Sequence, residues 1–319
     1  MSCTMTRTVR CAISVFVTLM CAGAVLAAPI KHGREIEAAN TGPAAAGYRD
    51  LQPADGGEIK DGRTYAFARA VAQTAIYDGY EVKGPHLLIE GVAFTRPLDI
   101  AISQPLVMRG VSVRVAPDAP WTILIRPQAG PVYLLWSDAG GALVDQSADG
   151  TSKATPSALQ LRGDNATVFR SHLSHTGDGI DVSGQHVNIS ETLIDDLATF
   201  QGSHNDGIQL AETAADVRIA RAKIKNANPQ TSCIYVLGDG VTITDTYLAG
   251  GGWTLYGGAK NNGHGGKGAS HVAVKGTIFG REFSHKSGHF GSVTYWDRDH
   301  ALGNIWSGNS FDDGRPIAP

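Results

Sequence analysis

Two short segments bring carboxylates and imidazoles close together: His175-Thr176-Gly177-Asp178-Gly179-Ile180-Asp181 and His204-Asn205-Asp206-Gly207-Ile208. In each, an aspartate stands two residues before an isoleucine and a histidine lies just upstream. If Ile180 and Ile208 open equivalent strands, Asp178 and Asp206 become neighbours, with Asp181 beside them and His175 and His204 close by. Neighbouring carboxylates repel, which raises a pKa and makes an acid/base pair available near neutral pH. Glycoside hydrolysis uses such a pair, about 5 to 5.5 Å apart for retention or 6.5 to 9.5 Å for inversion. Elimination from a uronate needs instead a group that neutralises the sugar carboxylate and a base for the α proton. Asp178, Asp181 and Asp206 are then candidate oxygen ligands for Ca²⁺. His204, Tyr235, His264 and Lys267 are candidate bases, and Gln209, Tyr235, Trp253, Tyr256 and Arg281 are candidate substrate contacts. The competing reading of each Asp-Gly pair is turn chemistry, the carboxylate capping nearby amides.

These residues need elements that hold them in register, and the sequence supplies a repeat. LLIEGVAF (87–94), LVMRGVSV (106–113), ATVFRSHL (166–173), VNISETLI (187–194), VRIARAKI (217–224), VTITDTYL (241–248) and VAVKGTIF (272–279) share apolar first, third and eighth positions. Their starts are spaced by 19, 60, 21, 30, 24 and 31 residues, and the long gap has room for further turns around WTILI (121–125) and VYLLW (132–136). Strand-like alternation at such a period predicts a solenoid of strands.

A second strand precedes the octet in several turns: Leu159-Gln160-Leu161, Ile180-Asp181-Val182, Ile208-Gln209-Leu210, Ile234-Tyr235-Val236 and, more loosely, Leu255-Tyr256-Gly257. Because side chains alternate faces, the outer residues of each triplet point into the coil and the middle ones form an outward ladder, Gln160, Asp181, Gln209, Tyr235 and Tyr256. The loops 175–181, 200–209, 226–232, 249–253 and 259–270 carry most of the polar residues and are expected to form one wall beside that ladder. Thr64 to Ile76, rich in alanine, is expected to be a short helix capping the coil. Residues 28–58 read as an extended arm, 59–319 as the coil with its caps, and 304–317 as a closing segment without the repeat.

The octets and triplets resemble those of right-handed parallel β-helix proteins, the fold of many pectate lyases, polygalacturonases and phage tailspike depolymerases, over roughly residues 80–311. The resemblance implies an all-β, single-stranded right-handed parallel β-helix. It also implies a polysaccharide-cleaving enzyme acting on an acidic glycan, with no required cofactor and Ca²⁺ as a candidate ion. Asp178-Gly179-Ile180-Asp181 is similar to the polygalacturonase element Asn-Thr-Asp-Gly-x-Asp, Asn205-Asp206-Gly207-Ile208 to Asp-Asp-Cys-x, and Gly263-His264-Gly265 to Gly-His-Gly. By that likeness Asp178, Asp206 and His264 would be catalytic. Asn205 stands where the family has aspartate, and no Arg-Ile-Lys element follows, so a lyase ranks slightly ahead of a hydrolase. The alternative class is a non-catalytic glycan-binding β-helix of a cell envelope or of an attachment or export system.

Composition narrows the setting. Of 319 residues 39 are glycine, about 12% against an ordinary ~7%, which suits a turn-rich chain. The net charge of −3 and the lack of any Lys/Arg run exclude the basic stripe that nucleic acid requires. Arg7 and Arg10 precede an apolar run from Cys11 to Leu26 that ends in small residues, the form of a signal peptide over 1–27. Cleavage there would leave Cys233 alone, hence no intrachain disulfide, no membrane span, and a secreted or periplasmic protein.

Overall fold

Each octet is two strands meeting at a single residue. In the computed structural model, which describes residues 29–142, 154–199, 204–260 and 268–319, the fifth octet position takes the left-handed backbone conformation in every copy. φ is 46° to 66° at Gly91, Gly110, Trp136, Arg170, Glu191, Arg221, Asp245, Gly276 and Gly308. Only four of these are glycine, so five corners hold side chains in a region that L residues seldom occupy. Two copies go beyond the seven that the apolar pattern reveals, 132–139 and 304–311. The second corrects the expectation that the repeat ends before 304. Asn304 replaces the apolar first residue there, and its Oδ1 accepts the Val272 amide at 2.9 Å.

Octet halves and triplets stack separately into three sheets of ten, ten and nine strands. Sheet 1 holds the first half of each octet, sheet 2 the second half, and sheet 3 the triplets, all in parallel pairing from coil to coil. The chain is therefore a parallel β-helix. Leu159, Ile180, Ile208, Ile234 and Leu255 are in register and at most 1% exposed, one aliphatic stack through the coil. Burying each such side chain contributes about 1.5–3 kcal/mol.

No helix forms over 64–76. Ala68–Val71 pairs antiparallel with His86–Ile89 along the edge of sheet 1, and Ala75–Tyr77 turns through Asp78-Gly79 onto Tyr80–Val82. Alanine favours a helix locally, but an open sheet edge and an apolar outer face need cover. The hairpin lays Tyr80 against Phe169 and joins Val82 to Leu88, Val107, Leu135 and Trp136 in a second core outside the coil. Tyr65 and Phe67 pack on the main core. The capping role is thus filled by strands. Among the described residues the one α-helix is a single turn, Gly42–Ala45, and no helix is long and apolar enough to cross a membrane.

Residues 29–51 run along the corner between sheets 1 and 2, from the last coils toward the first. His32 Nε2 bonds the carbonyl of Gly276, the Gly33 amide that of Asp245, the Gly42 amide that of Arg170 and the Gln52 amide that of Gly91. All four acceptors are fifth-position corner residues. Ile36, fully buried, packs with Ile30 and Leu193. Gln52–Ala54 and Gly57–Lys60 then pair with Val92–Phe94 and Leu98–Ala101 as strands of the first coil.

Candidate functional site

The ladder forms as the triplets require. Gln160, Asp181, Gln209, Tyr235 and Tyr256 are consecutive partners on the outer face of sheet 3. Two positions upstream of each aliphatic residue lies a second row. Ser157 pairs with Asp178, and the same register aligns Asp178 with Asp206, Asp206 with Ser232 and Ser232 with Trp253. In this row each carboxylate accepts the amide of the next coil: Asp178 Oδ1 from Asp206 at 2.7 Å, and Asp206 Oδ1 from Ser232 at 2.8 Å.

The glycines between serve space, not turning. Neither Gly179 nor Gly207 has positive φ. A Cβ at Gly179 would lie 2.5 Å from the Gly207 carbonyl oxygen and from Ile194 Cγ2, and one at Gly207 would lie 2.5 Å from the Cys233 carbonyl oxygen. Without side chains at these two positions the adjacent coils can approach this closely beside the second row. The carboxyls of Asp178 and Asp181 lie close enough to influence each other's ionisation, and the Ser157 hydroxyl donates to Asp181 Oδ2.

Burial pushes all three carboxyls up, and facing carboxylates add to it at Asp178 and Asp206. For Asp178 the causes are desolvation and then the Asp181 charge; for Asp181, desolvation, offset by the Ser157 hydroxyl and Arg162. Asp206, 3% exposed, is pushed up to about 7 by desolvation against the opposing bonds from Ser232. The Asp178–Asp181 dyad holds a proton that an isolated carboxyl would have lost. Burial pushes the Tyr235 hydroxyl up to about 12, far from a tyrosinate base.

Downstream the face turns aromatic. Tyr235 and Tyr256 meet edge to face at 4.9 Å, Tyr295 lies 5.8 Å beyond Tyr256, and Trp253 neighbours the exposed Phe290 at 6.5 Å. Gln209 sits between the dyad's coil and this group.

Other expected members lie elsewhere. His175, with φ of 59°, faces sheet 2, its Nδ1 near Ser174 Oγ at 2.9 Å and Arg114 Nη1 at 3.3 Å. A corner separates it from Asp178, and burial beside Arg114 lowers its pKa. Arg281 follows a sheet 2 strand and binds Asp312 at 2.6 Å and Asp313 at 3.1 Å, away from the ladder. His204 is exposed, and its carbonyl accepts the Asp206 amide. Ala259 and Lys260 follow Trp253–Tyr256 and so lie at the border of sheet 3 opposite the aspartates, which divides the expected single wall of loops. His264 and Lys267 lie outside the described residues.

The three carboxyls do not fit Ca²⁺. Asp178 Oδ1 and Asp206 Oδ1 already accept backbone amides, and Asp181 Oδ2 accepts the Ser157 hydroxyl. Among the described residues no group of three or more His, Cys, Asp or Glu is disposed to hold a metal.

Three framework residues are legible only in three dimensions. Asn205, wholly buried, donates to the carbonyls of Gly177 and Ala198, and Asn226 and Asn228 bond onto it in the next coil. A carboxylate at 205 would face two carbonyl oxygens, so this position holds the turn. Ser157 stands two residues before its aliphatic partner, so the rule that pairs Asp178 with Asp206 also selects it.

No family model matches the chain, and no curated protein matches it. Among solved structures it is similar to the crystal structure of Dettilon tailspike protein (gp208), at 12% identity and a TM-score of 0.48, over 84% of this chain. The chain spans 59% of that protein's length.

Proposed function

We propose that the protein is exported and hydrolyses a polysaccharide on the outer face of sheet 3, with the Asp178–Asp181 dyad as its acid. What carries this reading is a pair of neighbouring, partly exposed carboxyls, both pushed up by burial, at the head of an aromatic row. Asp178 protonates the glycosidic oxygen as the bond to the anomeric carbon breaks. Asp181, ionised, stabilises the positive charge that develops on the sugar. Water adds to that carbon and returns a proton to Asp178. A pair on one strand is not the opposed pair of glycosidase carboxylates, ~5 Å or more apart, so both groups act from one side of the bond. Tyr256 and Trp253 offer ring faces for neighbouring sugars, whereas Tyr235, expected as a contact, is 8% exposed and packs against Tyr256. Hydrolysis is preferred over elimination because the carboxyls do not fit Ca²⁺ and Tyr235 is held protonated.

The test is release of reducing ends from a panel of neutral and acidic polysaccharides. Asp178→Asn keeps the oxygen that accepts the Asp206 amide but has no acidic proton, and is expected to lower the rate at least about 100-fold. A product absorbing in the far ultraviolet would replace hydrolysis by elimination.

One observation favours a second reading. Asp178 and Asp206 each cap an amide of the next coil, a sufficient structural reason for both. On that reading the face binds glycan without turnover, Tyr256→Ala weakens binding, and Asp178→Asn does not.

A further inference from the structure

Resting on the reading above, we infer that Ser157 is a positioning residue that decides which half of the dyad carries the proton, holding Asp181 as the carboxylate and Asp178 as the acid. Ser157 and Asp178 occupy the same row in adjacent coils, yet the Ser157 hydroxyl crosses to the ladder and donates to Asp181 Oδ2. Ser157 is 1% exposed, so its hydrogen must find an acceptor inside the protein. An ionised Asp181 provides it. Were the proton on Asp181 Oδ2, that hydrogen would lose its acceptor.

The two halves differ in a second way. Asp178 Oδ1 accepts a backbone amide, which on its own favours the Asp178 charge but occupies Oδ1 and leaves Oδ2 as the oxygen to carry a proton. The charges facing the pair oppose that amide and act in the sense of the Ser157 bond. Arg162, at the end of the preceding coil's triplet strand and bonded to Gln160 Oε1 at 2.9 Å, favours a negative Asp181. Asp206, in the following coil, disfavours a negative Asp178. Ser157 thus selects between two carboxyls that their shared burial leaves nearly equivalent.

Carboxyl carbon chemical shifts of ¹³C-aspartate-labelled protein, followed against pH, test this without relying on turnover. Asp178→Asn and Asp181→Asn identify the dyad signals. Ser157→Ala is expected to raise the lower of the two apparent pKa values by about one unit, the scale of one hydrogen bond to a charge. Ser157→Thr, which keeps the hydroxyl, restores the wild-type titration. The carboxyl left in Asp178→Asn is expected to titrate below the one left in Asp181→Asn, a comparison that stands even if Ser157→Ala fails to fold. An unmoved titration in Ser157→Ala, or the reverse order in the two asparagine variants, overturns the assignment. Reducing-end release with an unmoved titration would sink Ser157's role and leave the hydrolase reading standing. A moved titration with no release on any glycan would do the opposite.

Discussion

Asp206 shows what the site costs the fold. Its carboxyl is buried, bonded by Ser232, and still pushed up to about 7. The folded state therefore binds a proton that the unfolded chain has released, and stability falls as pH rises from about 4 through 7. Asp178 and Asp181 act in the same direction. The opposite slope comes from Asp216, Asp312 and Asp313, held low by His186, Arg281 and Arg315, but these groups are largely exposed and contribute little. Thermal melts are expected to give a higher Tm at pH 5 than at pH 8. Asp206→Asn should flatten that difference, by up to about 3 kcal/mol, because about two units of the shift act between pH 5 and 7. A Tm that rises between pH 5 and 8 would contradict this origin of the shift. At this scale the carboxyl cluster was legible in the sequence because strand register is fixed by Ile180 and Ile208. His175 was not, since three residues of separation conceal a corner that sends its ring to another sheet. Arg281 failed for the same reason.

At the scale of elements, the octet was legible through its apolar positions but its bend was not. Trp136, Arg170, Glu191, Arg221 and Asp245 occupy the left-handed corner with no glycine to announce it. Some are held by partners: Arg170 lies 4.9 Å over Trp136 and bonds Glu191 at 2.6 Å, and Arg221 bonds the same carboxylate at 3.0 Å. The 64–76 segment misled because local alanine content speaks for a helix, whereas the partner that overrules it, the sheet edge at His86–Ile89, becomes visible only when the coil is assembled. The arm offers a direct test of how elements hold one another. At Gly33 a Cβ would overlap the Ala222 carbonyl oxygen and lie 2.8 Å from the Tyr247 amide nitrogen. Gly33→Ala is expected to lift the arm off the last coils, lowering stability by about 1–3 kcal/mol and opening residues 29–41 to limited proteolysis. An arm as resistant as wild type would show that these contacts do not hold it.

Across the whole molecule, stability should grade along the solenoid, because each coil rests on its neighbours. Central strands such as Ile180–Val182 and Ile208–Leu210 are paired on both sides, whereas Gly291–Thr294 and Ile305–Ser307 close their sheets with one partner each. Native-state hydrogen exchange is expected to be at least about tenfold slower in the central pair than in the terminal one. Uniform exchange would mean that the coils open as a single unit. The arm adds a link that nearest-neighbour stacking lacks. His32 meets Gly276 across 244 residues of chain, and Arg34 meets the Asp312 carbonyl across 278. Ile36 and Gly42 find Leu193 and the Arg170 carbonyl midway along the chain, but His32 and Gly33 must wait for Gly276 and Asp245. A chain that stops before Gly276 can stack its coils but never shut this clasp. A loose beginning of the arm thus exposes such a chain to any protease it meets, and a seated one certifies that synthesis has passed Gly276.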